Sequence, residues 1–170
     1  MKKIYFVTGV NGVGKTTVIN HLKSFLGADF EIHDFDERGV PNNVGRQWRI
    51  DETKYWIDLG IANYNQGTKT IICGFARPSE QSNPDVGFVL LDADPETIKK
   101  RLWNRYQTPE SIQTIEKVSG KSIEQFIQDN INFSQTMRDE AKQYGIAILN
   151  TNDLKPEQVA EEVIKSIKES

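Results

Sequence analysis

The chain has one cysteine, Cys73, so no disulfide can form within it, and the expectation is a protein suited to a reducing cytoplasm. Long apolar runs are missing as well: no stretch approaches the roughly 20 residues that a membrane helix needs. The first residues, Met1-Lys2-Lys3, pass directly into a strand-like run with no signal-peptide core. Neither sign of charge dominates. Lys and Arg number 21 against 24 Asp and Glu, a net charge of -3, which leaves no broad basic footprint for nucleic acid or an anionic membrane. With two histidines well apart, His21 and His33, and a lone cysteine, no zinc site is supported. Repeats, low-complexity tracts and inter-domain linkers are absent too. The 170 residues, 37% hydrophobic and 26% charged, fit one compact domain spanning 1–170.

What is present is concentrated near the start. Gly9-Val10-Asn11-Gly12-Val13-Gly14-Lys15-Thr16 satisfies the phosphate-binding pattern G-x-x-x-x-G-K-[ST] at every fixed position. Its glycines let the backbone curl around a polyphosphate without a Cβ in the way, and successive N–H groups form an anion nest. Lys15 places a point charge on the β- and γ-phosphates, and the Thr16 hydroxyl is a ligand for Mg²⁺. A helix beginning just after the loop turns its positive end to the same phosphates. Gly9, Asn11, Gly12, Val13, Gly14, Lys15, Thr16 and Thr17 are therefore the candidate nucleotide-binding residues. The flanks agree: an apolar run at 4–7 precedes the loop, and Val18, Ile19, Leu22, Phe25 and Leu26 follow at helical spacing.

Further along, short apolar runs at 30–33, 70–73, 86–91 and 146–149 read as strands. Between them lie helical patterns. The long amphipathic stretch after residues 39–43, with Trp48, Ile50, Tyr55, Trp56, Leu59 and Ile61, makes one or two helices that stop near Gln66-Gly67, and Asp94-Pro95 opens another as N-cap and first turn. The segment 107–120 is polar, contains Pro109 and breaks the regular pattern. A long helix follows over 121–144, and a closing helix over 156–167. Gly39-Val40-Pro41-Asn42-Asn43 is a turn cluster. Alternating strands and helices imply a parallel sheet covered on both faces, with ligands beyond the carboxyl ends of its strands.

Taken together, residues 9–17, the Asp34-x-Asp36 pair, Arg101 and Arg105 before a polar segment, the helix end from Arg138 to Tyr144 and the closing NTNDLKPEQVAEEVIKSI resemble the small P-loop kinases related to nucleoside monophosphate kinases and shikimate kinase. The resemblance covers essentially the whole chain. It implies an α/β three-layer sandwich with a five-stranded parallel sheet flanked by helices, the P-loop NTP hydrolase fold. It also implies Mg²⁺-ATP as phosphoryl donor, a small-molecule acceptor and a mobile lid, here about 107–120. The resemblance puts Asp34 on the metal side and Asp36 on an acceptor hydroxyl, against the plain reading of two aspartates in a turn at a strand end. Arg101 and Arg105, one helical turn apart, are candidates to clamp the migrating phosphoryl group, or else cations favoured at a helix C-terminus.

Arg49, Gly74, Arg77 and Arg138 are candidate acceptor contacts. The bland alternatives are a buried aromatic face beside Arg49, a plain loop at 74–77 and an exposed helical arginine at 138. Lys15, Asp36, Arg101 and Arg105 form the expected catalytic set, with Thr16 and Asp34 on the metal. The strand ending at Cys73-Gly74 lacks the aspartate that many relatives use for a second Mg²⁺ contact. That leaves Asp34 or Asp36 to act through water, or a weaker metal site. Aromatic and arginine content on the acceptor side favours a nucleoside or nucleotide over a hydroxy acid or sugar. A regulatory nucleotide-binding protein and an NTPase without an acceptor are the alternatives. A nucleic-acid end kinase is disfavoured by the net charge, and no motif fixes ATP against GTP or the oligomeric state.

Overall fold

The computed structural model describes residues 2–42 and 44–170, so Met1 and Asn43, the last residue of the expected turn cluster, lie outside the described residues. Five parallel strands form one sheet in the order β2-β3-β1-β4-β5: β1 (Ile4–Thr8), β2 (Phe30–Asp34), β3 (Lys69–Cys73), β4 (Val86–Asp92) and β5 (Ala147–Asn150). Six helices cover it: α1 (Ile19–Leu26), α2 (Arg46–Asn65), α3 (Pro95–Arg105), α4 (Pro109–Ser119), α5 (Ile123–Gln143) and α6 (Pro156–Glu169). Among the described residues, no helix is long and apolar enough to cross a membrane.

The strands are apolar on both faces because helices lie on both. Tyr5, Val7 and Ile71 pack with Leu22 of α1 and with Val159 and Val163 of α6. Ile4, Phe6 and Ile72 point the other way, onto Trp56 and Ile57 of α2. The period of two along β1 thus divides one strand between two cores. The register pairs Val7 with Cys73 and with Val89, which brings the carboxyl ends of the three central strands level. The phosphate loop leaves from that edge.

Helix ends follow local chemistry. Asp94 caps α3, its Oδ1 accepting from Thr97 N at 2.7 Å, with Pro95 in the first turn as the sequence indicates. The segment 107–120, read from sequence as a break in regular structure, is instead α4. Pro109 sits at the first helical position, where its missing N–H costs nothing. Thr108 and Ser111 form a reciprocal capping box, and Gly120 closes the helix in the left-handed conformation at φ 70°. Ile112, Ile115 and Val118 supply a narrow apolar stripe, and no residue of α4 is fully buried. The stretch before Gln66 is one helix, α2.

Gly74 follows β3 and has a packing reason. A Cβ there would lie 2.0 Å from Phe35 Cβ. Phe35 N donates to Cys73 O at 3.0 Å, so the Phe35 backbone runs directly against this position. Gly74→Ala is expected to cost about 3 kcal/mol, at or above the usual range for overpacking, read as a lower urea midpoint. Cys73 is buried at 1% exposure, and burial, with Asp34 adding to it, pushes its thiol up to about 12. At pH 8 that leaves roughly one thiolate in ten thousand. Native protein should therefore resist alkylation by iodoacetamide at pH 8, and denatured protein should react with one equivalent.

Candidate active site

The loop between β1 and α1 carries out the geometry that its sequence implies. Gly9 adopts φ 144°, and a Cβ there would lie 2.4 Å from Leu91 O. No other residue fits so close to β4. A short 3-10 turn, Thr16–Val18, joins the loop to α1 and leaves the Thr16 and Thr17 side chains exposed. Beside the loop lies a cleft of roughly 410 Å³ lined by Gly14, Lys15 and Thr16 on one side and Arg105, Leu154 and Pro156 on the other. Lys15 Nζ donates to Val10 O at 2.7 Å, within its own loop. Burial lowers the Lys15 ammonium to about 8; Asp36 and Asp34 oppose that fall, and Arg105 adds to it. The candidate charges at 15, 34, 36 and 105 thus converge on one point.

The two arginines of α3 do different things. Arg101 is committed to backbone: its guanidinium donates to Thr151 O at 2.6 Å, to Gly12 O at 3.3 Å and to Asn152 O at 3.4 Å. It also donates to Thr151 Oγ1 at 2.9 Å. That hydroxyl shares its own proton between Val13 O at 3.0 Å and Asp92 O at 3.1 Å. Arg101 therefore fastens the phosphate loop to the connection between β5 and α6. A free clamp on the migrating group, the role expected from sequence, does not match this arrangement. Arg105 is exposed, its guanidinium 5.6 Å from the Tyr106 ring centroid, and it lines the nucleotide cleft. Arg101 lines that cleft too, and of the two Arg105 is the one whose guanidinium is not held by backbone carbonyls.

Across the loop lies a second cleft of roughly 490 Å³. Asp36 and Arg49 supply its inner polar wall, and Trp48, Phe75, Phe126 and Phe133 its aromatic surface. Asp34 Oδ1 accepts from Asp36 N at 2.9 Å, a local turn that fixes the Asp34 carboxylate. Asp36 still reaches solvent, yet desolvation raises its carboxyl above the ordinary range and the Asp34 charge pushes the same way. Arg49, Lys15 and Arg105 pull against that rise. The Arg49 guanidinium lies 4.7 Å from the Phe75 ring centroid.

The remaining candidates sit elsewhere. Arg77 is bound to Glu140 through Nε at 3.1 Å and through a second, shorter contact, and it stacks 5.3 Å from the Phe133 centroid. Arg138 Nη1 donates to both Asp92 oxygens, at 2.9 and 3.0 Å. Neither lines either cleft, because each cation already has a partly buried carboxylate. Gly74 likewise answers to Phe35. Magnesium typically takes one or two protein oxygens and fills its shell with phosphate and water. The exposed Thr16 hydroxyl and the Asp34 carboxylate fit that donor set. Among the described residues, no group of three His, Cys, Asp or Glu forms a cage.

Five positions of the two clefts escaped the sequence reading. Asn130 Oδ1 accepts from Asn11 N at 2.9 Å and Nδ2 at 3.1 Å, tying α5 to the phosphate loop. The available signal was a polar residue set between Phe126 and Phe133 on an otherwise apolar helix face. Thr151 and the aromatic trio Phe75, Phe126 and Phe133 are the others; the lone apolar residue after Gly74 was the clue for Phe75. The split between the arginines has a direct test. Arg101→Met should lower the stability of ligand-free protein by about 1–3 kcal/mol, since it orphans several carbonyls. Arg105→Met should stay within about 0.5 kcal/mol of the parent. Urea unfolding of both variants decides it; equal costs would break the distinction.

A family model described as an AAA domain matches residues 6–128. The chain is 28% identical over 166 residues to a protein of Pyrococcus abyssi (strain GE5 / Orsay) described as "Putative adenylate kinase", covering 95% of this chain and 82% of that one. A protein of Methanocaldococcus jannaschii with the same description is 27% identical over 167 residues, covering 95% and 84%. Among solved structures, a sugar kinase from Janibacter sp. HTCC2649 superposes with a TM-score of 0.61 at 18% identity, over 99% of this chain and 95% of that one. Shikimate kinase from Acinetobacter baumannii in complex with shikimate gives 0.55 at 18% identity, over 98% and 92%. The chain belongs to the AAA domain family, and its fold is that of the small P-loop kinases.

Proposed function

We propose that the protein transfers the γ-phosphoryl group of ATP to a hydroxyl of a small molecule held in the aromatic cleft, with a nucleoside or nucleotide ahead of a hydroxy acid or sugar. The observation that carries this reading is the position of Asp36. It belongs to the lining of the second cleft, and its charge is felt by Lys15 in the first. The phosphate loop is the wall between the two clefts, Gly9, Val10 and Asn11 lining the second and Gly12 to Thr16 the first. A kinase requires that arrangement, with donor phosphate and acceptor oxygen facing each other across the group that takes the proton.

The chemistry balances simply. The acceptor oxygen forms a bond to the γ-phosphorus as the bond from that phosphorus to the β,γ-bridging oxygen breaks. The acceptor proton passes to the Asp36 carboxylate, and ADP leaves. Lys15 and the loop amides hold the β- and γ-phosphates, and Arg105 neutralises charge on the migrating group. Thr16 and Asp34 would hold Mg²⁺, which supplies further neutralisation of the phosphates when bound. Asp34 also holds the backbone N–H of Asp36 through the 2.9 Å turn contact. In this reading α4 is the lid. Its inner residues Ile115, Val118 and Ser119 already line the acceptor cleft, and its closure excludes water that would otherwise hydrolyse ATP.

A regulatory nucleotide-binding protein is the second reading, favoured by the lack of a carboxylate where β3 ends at Cys73-Gly74, and an NTPase without acceptor is the other alternative. The experiment is ADP release with and without candidate acceptors, on parent and Asp36→Asn protein. Acceptor-dependent release that falls at least about 100-fold in the variant is expected, with ATP affinity by calorimetry within about threefold of the parent. Release that ignores every acceptor would favour the NTPase reading. Transfer unchanged in the variant removes Asp36 from its role.

A further inference from the structure

The acceptor cleft is lined by charges that cancel. Asp36 and Asp129 are its acids, Arg49 and Lys121 its bases. Lys121 Nζ is held by Asp129 Oδ2, so its charge is already met. The same holds for every other arginine on the acceptor side. Arg38 pairs with Glu52 at 3.1 Å and lies 3.5 Å from the Tyr55 ring centroid. Arg46 pairs with Glu80 at 3.0 Å. Arg77 sits behind Phe133 with its charge met by Glu140. Arg49 is left as the one cleft arginine with no carboxylate within ion-pair distance among the described residues. Even so, it rests on the Phe75 ring and faces the field of Asp36.

A phosphate dianion asks for the opposite. Its recognition rests on several converging donors with free positive charge, two or more guanidiniums being the usual solution. A dianion entering this cleft would meet Asp36 and Asp129 along with a single unpaired guanidinium, and a buried anion without matched cations is strongly disfavoured. What the cleft does offer is flat apolar surface from Trp48, Phe75, Phe126 and Phe133, the Phe75 and Phe133 rings adjoining at 5.7 Å between centroids, with a carboxylate and one planar cation in the same lining. Such walls hold a flat ring by stacking and leave Asp36 to bind a hydroxyl.

We propose that the acceptor is an uncharged hydroxyl compound built on an aromatic or similarly flat ring, of which a nucleoside is the nearest chemical type, and that a nucleoside monophosphate is discriminated against. This rests on the phosphotransfer reading above and narrows its acceptor. The Lys121–Asp129 pair is a specificity device in this arrangement: the carboxylate cancels the cation that would otherwise welcome a phosphate. It also separates this chain in acceptor chemistry from its relatives described as adenylate kinases.

The test uses the full chain with Mg²⁺-ATP and a panel of adenosine, guanosine, cytidine, thymidine and benzyl alcohol, together with the 5′-monophosphate of each nucleoside. Initial rates are read as ADP release and products are confirmed by ³¹P NMR. At least one uncharged compound should be phosphorylated, and a nucleoside should show kcat/KM at least tenfold above that of its own monophosphate. Equal or greater kcat/KM for the monophosphates would overturn the inference while leaving the kinase reading in place. Release unaffected by any compound would remove both. As an independent arm, Asp129→Asn leaves Lys121 unpartnered and should raise the monophosphate-to-nucleoside ratio of kcat/KM at least threefold. Lys121→Met in the same background should restore the parental ratio. A ratio that does not move in Asp129→Asn counts against the proposal.

Discussion

A loop that turns its N–H groups inward to hold phosphate must turn its carbonyls outward, and those carbonyls need donors of their own. That requirement organises this molecule. Arg101 and Thr151 provide the donors for Gly12 and Val13, and Thr151 also meets Asp92 at the end of β4, both through its hydroxyl and through its N–H at 2.8 Å. Gly9 permits the first turn of the loop to pass against Leu91. The shape of the anion nest is therefore set from behind, by α3, β4 and the start of α6, before any ligand arrives. This is preorganisation in a literal structural sense: the loop carbonyls are already held by donors of the protein itself.

The same logic extends to charge. Lys15 is buried enough to lose part of its hold on a proton, and Arg105 adds to that loss. Asp36 and Asp34 lie close enough to offset it, and the rise of Asp36 is in turn moderated by Arg49, Lys15 and Arg105. Each sign is tolerable in a desolvated place because the other is near. A donor polyphosphate adds negative charge on the Lys15 side, whereas the acceptor side is already balanced. The asymmetry between the two clefts follows from where the arginines found partners, and not from how many arginines the sequence contains.

Much of the fold was legible because it depends on local pattern. The phosphate loop is defined by fixed spacing, and the five strands were readable as apolar runs bounded by Gly, Pro and Asp. The α3 cap was readable in Asp94-Pro95. The error at 107–120 came from weighing polarity and Pro109 above the Thr108 and Ser111 caps that make a short helix viable. The site was legible only in part, for a physical reason. Arg101 and Arg105 are identical as sequence and share a helix face, but one reaches Thr151 and the other solvent. Arg77 and Arg138 find Glu140 and Asp92 at separations of 63 and 46 residues, which no local pattern reveals. An arginine counted from sequence is a candidate ligand; whether its charge is available depends on tertiary neighbours.

α5 joins these observations. From one helix it sends Asn130 to the phosphate loop, Phe126 and Phe133 to the acceptor cleft, Glu140 to Arg77 and Arg138 to Asp92. It also carries α4, which has no fully buried residue and is held by a narrow stripe of half-buried side chains. An element anchored so lightly opens at low free-energy cost, whereas α5, with Ile127, Met137 and Ala141 in the core, does not. On the proposed transfer reading, movement over the acceptor cleft falls to α4, while the cleft residues Phe126, Asn130 and Phe133 stay on a helix fixed to the sheet. Loose cover and rigid alignment are separate demands of transfer in preference to hydrolysis, and here they fall on two consecutive helices joined at Gly120.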